Sequence, residues 1–221
     1  MTRLTKDQTA AYWQERHRTS DSWRAGGHRG LDEKANELFY YVRFGLVLRM
    51  LANHFGYQPG LRILDAGCGR GWLTGQLRAL GFDAMGVDQS SEAIRHARET
   101  YDAPFFVAAL DEFDPDQRFD AVISMDVLYH ITDDEQWERS LRNLARLLDG
   151  KGVLILSDCL SDEGRELGDY VVCRSRSRYG RVLSACSLTM IQSEPYRVFG
   201  HDTSWHLCAR LEVAPREARE L

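Results

Sequence analysis

The stretch "ILDAGCGRGWLTGQL", Ile63 to Leu77, decides the fold. A short apolar run of strand character ends in Asp65, and glycines then stand at 67, 69 and 71. An apolar helical repeat of Trp72, Leu73, Gln76, Leu77 and Leu80 follows, closed by Gly81. Strand, glycine turn and helix form the opening unit of a parallel sheet, which takes its ligands beyond the carboxyl ends of its strands. Glycines permit positive φ and let a ligand approach the backbone closely. The helix start adds unpaired N–H groups at a partly positive end. A phosphate would use those groups, but Asp65 beside them disfavours one. An acid there suits an ammonium, and the N–H groups suit a carboxylate on the same ligand. A zwitterionic amino acid head meets both demands.

Reading outward, "DAMGVD" is a second strand ending in Asp88. An acid about 20 residues past such glycines bonds a ribose hydroxyl pair in dinucleotide sites. The two acids together ask for a nucleoside with a zwitterionic head, a description that S-adenosylmethionine answers. Ser90 or Ser91 can cap the next helix, with Ile94 and Ala97 inward. "PFFVAAL" is a third strand, and "FDAVISMDVLYHI" carries a fourth. Thr132 with Glu135 makes a capping box for a helix that buries Trp137, Leu141, Leu144 and Leu148. Asp149-Gly150-Lys151-Gly152 turns the chain into a fifth strand, "VLILSD". This alternation implies a parallel sheet with helices on both faces. A helix is expected over 177–186, and "LTMIQS" and "WHLCARLEV" then read as two strands that pair antiparallel at a sheet edge. Upstream, residues 35–55 are helical, with Leu38, Val42, Gly45, Leu48, Ala52 and Phe55 at spacings of three and four.

The four segments "LDAGCGRG", "GVDQS", "FDAVISMDVLYHI" and "LLDGKGVLILSD", in this order over about residues 60–160, resemble class I S-adenosylmethionine (SAM)-dependent methyltransferases, and more loosely those that modify sugars or natural products. The resemblance implies an α/β, Rossmann-like, doubly wound seven-stranded sheet, mostly parallel with an antiparallel last strand. An N-terminal helical cap over 1–58 would precede a SAM-binding core over 59–221. It further implies that Asp65, Gly67 and Gly69 hold the methionine part, with Cys68 also at the cofactor, that Asp88 takes the ribose hydroxyls, and that Gln89 lies beside the adenine. Ala109, Leu110 and Asp111 would border the adenine amino group, and Met125 and Asp126 would line the cofactor.

Methyl transfer needs an in-line nucleophile, and a base helps when that nucleophile holds a proton. His130 is the candidate base, since an unperturbed imidazole titrates near ~6.5. The alternative is a helix-entry histidine bonded to a backbone carbonyl. Tyr129 is a neighbouring polar contact. Asp158 either holds a substrate cation or hydroxyl or caps a loop. In the cap, Tyr12, Trp13 and Tyr40 either close over the methionine end or pack on the sheet edge, and Arg29 would meet the cofactor carboxylate. Tyr170 and Arg174 stand between a substrate wall and the surface.

Composition narrows the alternatives. With 221 residues and 43% apolar content the chain suits one domain with an appendage. No apolar run approaches the ~20 residues a spanning helix needs, and the N-terminus lacks a secretory h-region, so a cytoplasmic protein without membrane partners is expected. The net charge of −5 disfavours a nucleic-acid partner. "RSRSRYGR", Arg174 to Arg181, reads as a solvated helix entry. The five cysteines form no CxxC pair and read as reduced, mostly buried thiols, without a disulfide framework. The histidines show no ligand spacing, His201 and His206 included, so no metal is expected. The functional expectation is a SAM-dependent methyltransferase acting on oxygen or nitrogen of a small molecule, with a homodimer as an allowed assembly. A SAM-binding regulator without turnover and a nicotinamide-dependent oxidoreductase are the rival readings.

Overall fold

Successive residues of the central strands point to opposite faces, and the apolar partners sort accordingly. The computed structural model describes residues 3–20, 23–160, 162–196, 198 and 203–210. The main sheet contains β1 (Arg62–Ala66), β2 (Asp83–Asp88), β3 (Phe105–Val107), β4 (Phe119–Ser124) and β5 (Leu148–Asp158), followed by β8 (Thr189–Pro195) and β9 (Ser204–Ala209). Two short strands, β6 (Arg165–Glu166) and β7 (Val172–Cys173), pair apart from it. The order across the sheet is β3-β2-β1-β4-β5-β9-β8, with β1 to β5 parallel and β9 antiparallel to both its neighbours. The expected seven-stranded, doubly wound α/β fold is therefore the observed one.

Helices α1 (Lys6–Thr19), α2 (Glu33–Phe55), α3 (Trp72–Ala79), α4 (Ser91–Thr100), α5 (Asp134–Arg146) and α6 (Arg176–Ala185) complete the chain. Leu64, Val122, Leu154 and Leu156 face α5 and α6, where Trp137, Leu141, Tyr179 and Leu183 are buried. Ile63, Ala121, Ile123 and Ile155 face α2 and α3, against Val47, Met50, Leu73 and Leu77. Two packed layers on one sheet thus form the core.

Several local expectations change. The buried stripe of α2 is Asn36, Phe39, Arg43, Val47, Met50 and Leu51, not the set beginning at Leu38, which is 53% exposed. Ser90 is the cap of α4, but the cap of α5 is Asp133, whose carboxylate accepts from Gln136 N at 2.7 Å. Thr132 is drawn away because its hydroxyl donates to Leu4 O. The third strand keeps only three residues. Residues 149–152 do not end a turn before β5. They lie within that strand as an irregularity, between the Phe119–Leu148 and Ala121–Val153 pairs.

The basic run is not simply solvated. Arg174 is 3% exposed, donates to Ile131 O at 2.7 Å and lies 4.7 Å over the Trp137 ring. Cys159 and Cys173 form a disulfide with Cα atoms 5.6 Å apart, which corrects the all-thiol expectation. Their spacing of 14 resembled no framework because fold contacts, not a motif, bring them together. Cys68, Cys186 and Cys208 are free thiols. His201 and residues 211–213 of the expected last strand lie outside the described residues.

Candidate active site

The carboxyl ends of β1, β2 and β4 open into one cavity of about 380 Å³. Its floor is the glycine turn. Gly67, Gly69 and Gly71 have φ of +84°, +52° and +79°, values that L side chains rarely adopt. A Cβ on Gly67 would stand 2.3 Å from Val127 Cγ2, so that glycine is required twice, by conformation and by space.

Two acids frame the turn. Asp65 is 1% exposed, and its Oδ2 accepts from Thr74 N at 3.1 Å and Thr74 Oγ1 at 2.7 Å. Burial pushes its carboxyl up to about 7. Asp88 accepts from Gly69 N at 2.9 Å through Oδ2 and from Ser90 N at 2.8 Å through Oδ1. Burial raises its pKa as well, against those two bonds. Asp88 therefore holds the glycine turn and the start of α4 in one geometry. Each of its oxygens retains a second lone pair for a ligand hydroxyl.

The wall also contains Cys68, Gln89, Leu110, Met125, Asp126 and His130, and α1 covers it with Lys6, Thr9, Trp13 and His17. His130 Nδ1 lies 3.0 Å from Tyr170 O. A carbonyl only accepts, so Nδ1 carries the proton and Nε2 keeps its lone pair. Burial pulls the imidazole down to about 4, well below the expected ordinary value. His130 is thus bonded to a backbone carbonyl and also stands in the cavity wall.

Five of the expected cofactor and catalytic residues stand outside the cavity wall: Ala109, in whose place Ala108 lines it, and Asp111, Tyr12, Arg29 and Tyr129. Asp111 turns to Lys6 at 3.6 Å and Arg139 at 3.3 Å. Tyr12 stacks on Tyr170, with ring centroids 5.4 Å apart, and Arg29 covers the Tyr12 ring at 5.5 Å. Tyr129 is turned toward Asp126, and burial raises its phenol well above the usual range. Asp158 likewise serves the fold: Tyr179 donates to Oδ2, and Cys159 N donates to Oδ1 at 2.6 Å. Asp158, Cys159 and Cys173 are close enough to suggest a metal cluster, but the two sulfurs are bonded to each other.

Sequence reading missed Arg43, Trp23, Trp72 and His17 in the wall. Only Arg43 carried a signal, standing at i+4 between Phe39 and Val47 in an otherwise apolar stripe.

Residues 33–192 match the family model described as "Methyltransferase domain". The chain belongs to the methyltransferase-domain family. Among curated members, it is 33% identical over 129 residues to the ubiquinone biosynthesis O-methyltransferase of Azorhizobium caulinodans, covering 52% of this chain and 50% of that protein. The enzyme of the same name from Rickettsia bellii is 26% identical over 140 residues, covering 61% and 55%. The chain spans about half the length of these curated relatives. Its fold is that of the magnesium protoporphyrin IX methyltransferase of Synechocystis PCC 6803 with bound SAH (TM-score 0.75, 21% identity, 94% of this chain and 100% of that one). The N-methyltransferase NodS of Bradyrhizobium japonicum shares the fold at TM-score 0.69, 18% identity and coverage of 92% and 99%. So does the [4+2]-cyclase SpnF at TM-score 0.68, 16% identity and coverage of 95% and 97%, so this methyltransferase-domain architecture also serves other chemistry.

Proposed function

We propose that this chain is a SAM-dependent methyltransferase acting on oxygen or nitrogen of a small molecule. The observation that carries the reading is the Asp88–Gly69 bond at 2.9 Å, which fixes a carboxylate and a side-chain-free turn on one cavity rim. The residues fit the cofactor. A Cβ at Gly67 would close the turn against Val127, and Asp88 keeps acceptor capacity for two hydroxyls. Asp65, Gly67, Cys68 and Gly69 would hold the methionine part, Asp88 the ribose, and Gln89, Ala108 and Leu110 the adenine surroundings. Bound there, the cofactor supplies an electrophilic methyl group. Of residues 1–58, expected as a cap on a core over 59–221, α1 would serve as the cover, a reading supported by Thr9, Trp13 and His17 in the cavity wall, while α2 packs into the core.

The chain's own contribution is to position and to accept a proton. Trp13 packs edge-on to His130, with centroids 4.7 Å apart, and Tyr170 stacks on the same ring at 5.6 Å. These contacts and the Nδ1 bond aim an unprotonated Nε2 for a hydroxyl or amine proton. The relatives named as O-methyltransferases favour oxygen as the nucleophile. No described helix is long and apolar enough to cross a membrane.

The test is calorimetric titration with SAH, followed by incubation with methyl-labelled SAM and a small-molecule extract. Binding and label transfer support the reading. Binding without transfer to any compound favours a SAM-binding protein that performs no methylation, and no binding removes the reading altogether.

A further inference from the structure

Arg43 sits mid-way along α2 with its side chain 3% exposed and lines the same cavity as Asp65 and Gly67. Nε donates to Phe39 O at 3.3 Å, and Nη1 pairs with Asp126 Oδ2. Cζ lies 4.3 Å from the centroids of both the Phe39 and Tyr40 rings. Nη2 is buried and has no hydrogen-bond partner among the described residues. A guanidinium keeps its proton, so this unpaired N–H favours a ligand oxygen. With the methionine part held at Asp65 and the glycine turn, the cofactor's carboxylate is that oxygen.

What fixes the guanidinium is the acid on its other side. Asp126 stands two residues past β4 with φ of +57°, a conformation that a residue with a Cβ keeps only when its surroundings hold it. Ser157, near the end of β5, holds it twice. The Asp126 N–H donates to Ser157 Oγ at 2.7 Å, and that hydroxyl donates back to Oδ1 at 2.6 Å. Tyr196, directly after β8, donates from Oη to the same Oδ1 at 3.0 Å. The Tyr196 ring also packs edge-on to Phe39, with centroids 5.4 Å apart, and Phe39 is one of the two rings against the guanidinium. Ser157 and Tyr196 are buried, and neither lines the cavity. Tyr196 lies beyond residues 33–192, the span matched by the methyltransferase-domain model.

We propose that Tyr196 and Ser157 are positioning residues for the cofactor's amino-acid head. They hold Asp126, Asp126 holds the guanidinium, and Nη2 is thereby aimed at the carboxylate. This rests on the methyltransferase reading above. The brace serves one end of the ligand alone, since the ribose and adenine lie toward Asp88 and Leu110. A head fixed in this way sets where the methyl group stands relative to His130.

The experiment titrates wild type, Tyr196→Phe and Ser157→Ala with SAH and with 5′-methylthioadenosine, which keeps adenine, ribose and sulfur but has no amino-acid head. Tyr196→Phe keeps the ring contact with Phe39 and deletes only the hydroxyl. The wild type should bind SAH at least about 10-fold tighter than 5′-methylthioadenosine, since only SAH reaches Nη2. Each variant should weaken SAH about 10-fold, the lower end for a hydrogen bond to a charged group, and hold 5′-methylthioadenosine within about twofold. Arg43→Lys keeps a cation for Asp126 but removes Nη2. In that background, adding Tyr196→Phe should change SAH affinity by less than about twofold, because the two residues act as one unit. Melting curves check folding, and the two single variants test the brace independently. Equal weakening of both ligands would mean that the hydroxyls support the cavity as a whole, and it overturns the proposal. So do SAH affinities unchanged in both variants, a full further loss in the Arg43→Lys background, or a wild type that binds the two ligands alike. Each of these leaves SAH binding, and with it the methyltransferase reading, intact. A wild type that binds neither ligand removes that reading and this proposal with it.

Discussion

His130 Nδ1 donates to the Tyr170 carbonyl at 3.0 Å, and the two rings lie within 10° of parallel. One bond sets the tautomer and one stack sets the plane, so the imidazole presents Nε2 in a fixed direction.

Replacing that ring tests its role as a base. His130→Gln should lower kcat by about 10²- to 10⁴-fold and leave SAH affinity within about twofold, since no cofactor contact is assigned to this ring. Burial places the imidazole pKa at about 4, so its base form is complete from pH 6 to 9. The His130-dependent limb of the kcat profile should therefore appear only below about pH 5. A limb centred near 6.5 would show a solvated histidine and sink the assignment.

Asp88→Ala should weaken SAH binding by about 10- to 100-fold, because charged hydrogen bonds are worth about 1.5–3 kcal/mol. It also releases Gly69 N and Ser90 N. Calorimetry on the folded variant reads the loss, and equal affinities would remove Asp88 from the ligand's surroundings.

Asp65 gives a protonation signature. Its carboxyl titrates at about 7, so near neutral pH it is partly protonated. A cation arriving beside it favours the carboxylate and expels the proton. Binding of SAM at pH 7 should release up to about half a proton, measured as a dependence of binding enthalpy on the buffer's ionisation enthalpy. Asp65→Asn should abolish that dependence. A wild type without it would mean that no cation approaches Asp65.

The Cys159–Cys173 bond closes the loop that carries Tyr170. Thiol titration of the unfolded protein should count three free thiols of the five, and five after reduction. Reduction should cost about 3 kcal/mol of stability, as for a loop of this length. It should also lower kcat, because the Tyr170 carbonyl that orients His130 is less well held. Five thiols before reduction would contradict the bond.

Stability against pH should be nearly balanced on the acid side. His17, His130 and His206 are each held down to about 4 by burial. The unfolded chain therefore binds three more protons there as pH falls from about 6.5 toward 4, and stability is lost in that direction. Asp65 and Asp158 are raised to about 7, so the folded chain binds two protons in the same window, and their contribution is lost as pH rises through 7. Asp88, also raised, acts in the same sense as these two. Asp65 and Asp158 bring the slope from the ~4 kcal/mol per pH unit of the three histidines down to about 1.4, and Asp88 lowers it further. Asp65→Asn should steepen it by about 1.4 kcal/mol per pH unit, one proton's worth, as read from denaturant midpoints at pH 4.5 to 6.5. A decrease would overturn the sign.

The sheet and its glycine turn were legible because each obeys a local rule. Strand periodicity, positive-φ glycines and the Asp88 spacing act within about 30 residues. Arg43 was not legible as part of a site. A buried cation inside an apolar stripe shifts the apparent helical face by one residue, which is why Leu38 seemed inward and Phe39 did not. Asp111 and Arg29 failed for the opposite reason. Each had the right type and place in sequence, but Lys6 and Arg139 claimed the acid, and the Tyr12 ring claimed the cation. The disulfide joins segments whose meeting depends on how residues 159–173 return past β5, and no local rule encodes that path.

Helix α1 is fastened over the cavity by polar contacts, Gln14 to Ser90 and Ser91, Lys6 to Glu112, and Arg70 to the His17 carbonyl, and by the ring contacts of Trp13 with His130 and Tyr12 with Tyr170. If α1 lifts to exchange cofactor, motions of that kind fall on the microsecond-to-millisecond scale. Each catalytic cycle would then include an unlatching step, and a rapid-mixing experiment should record a first turnover faster than those that follow, with escape of spent cofactor setting the steady pace.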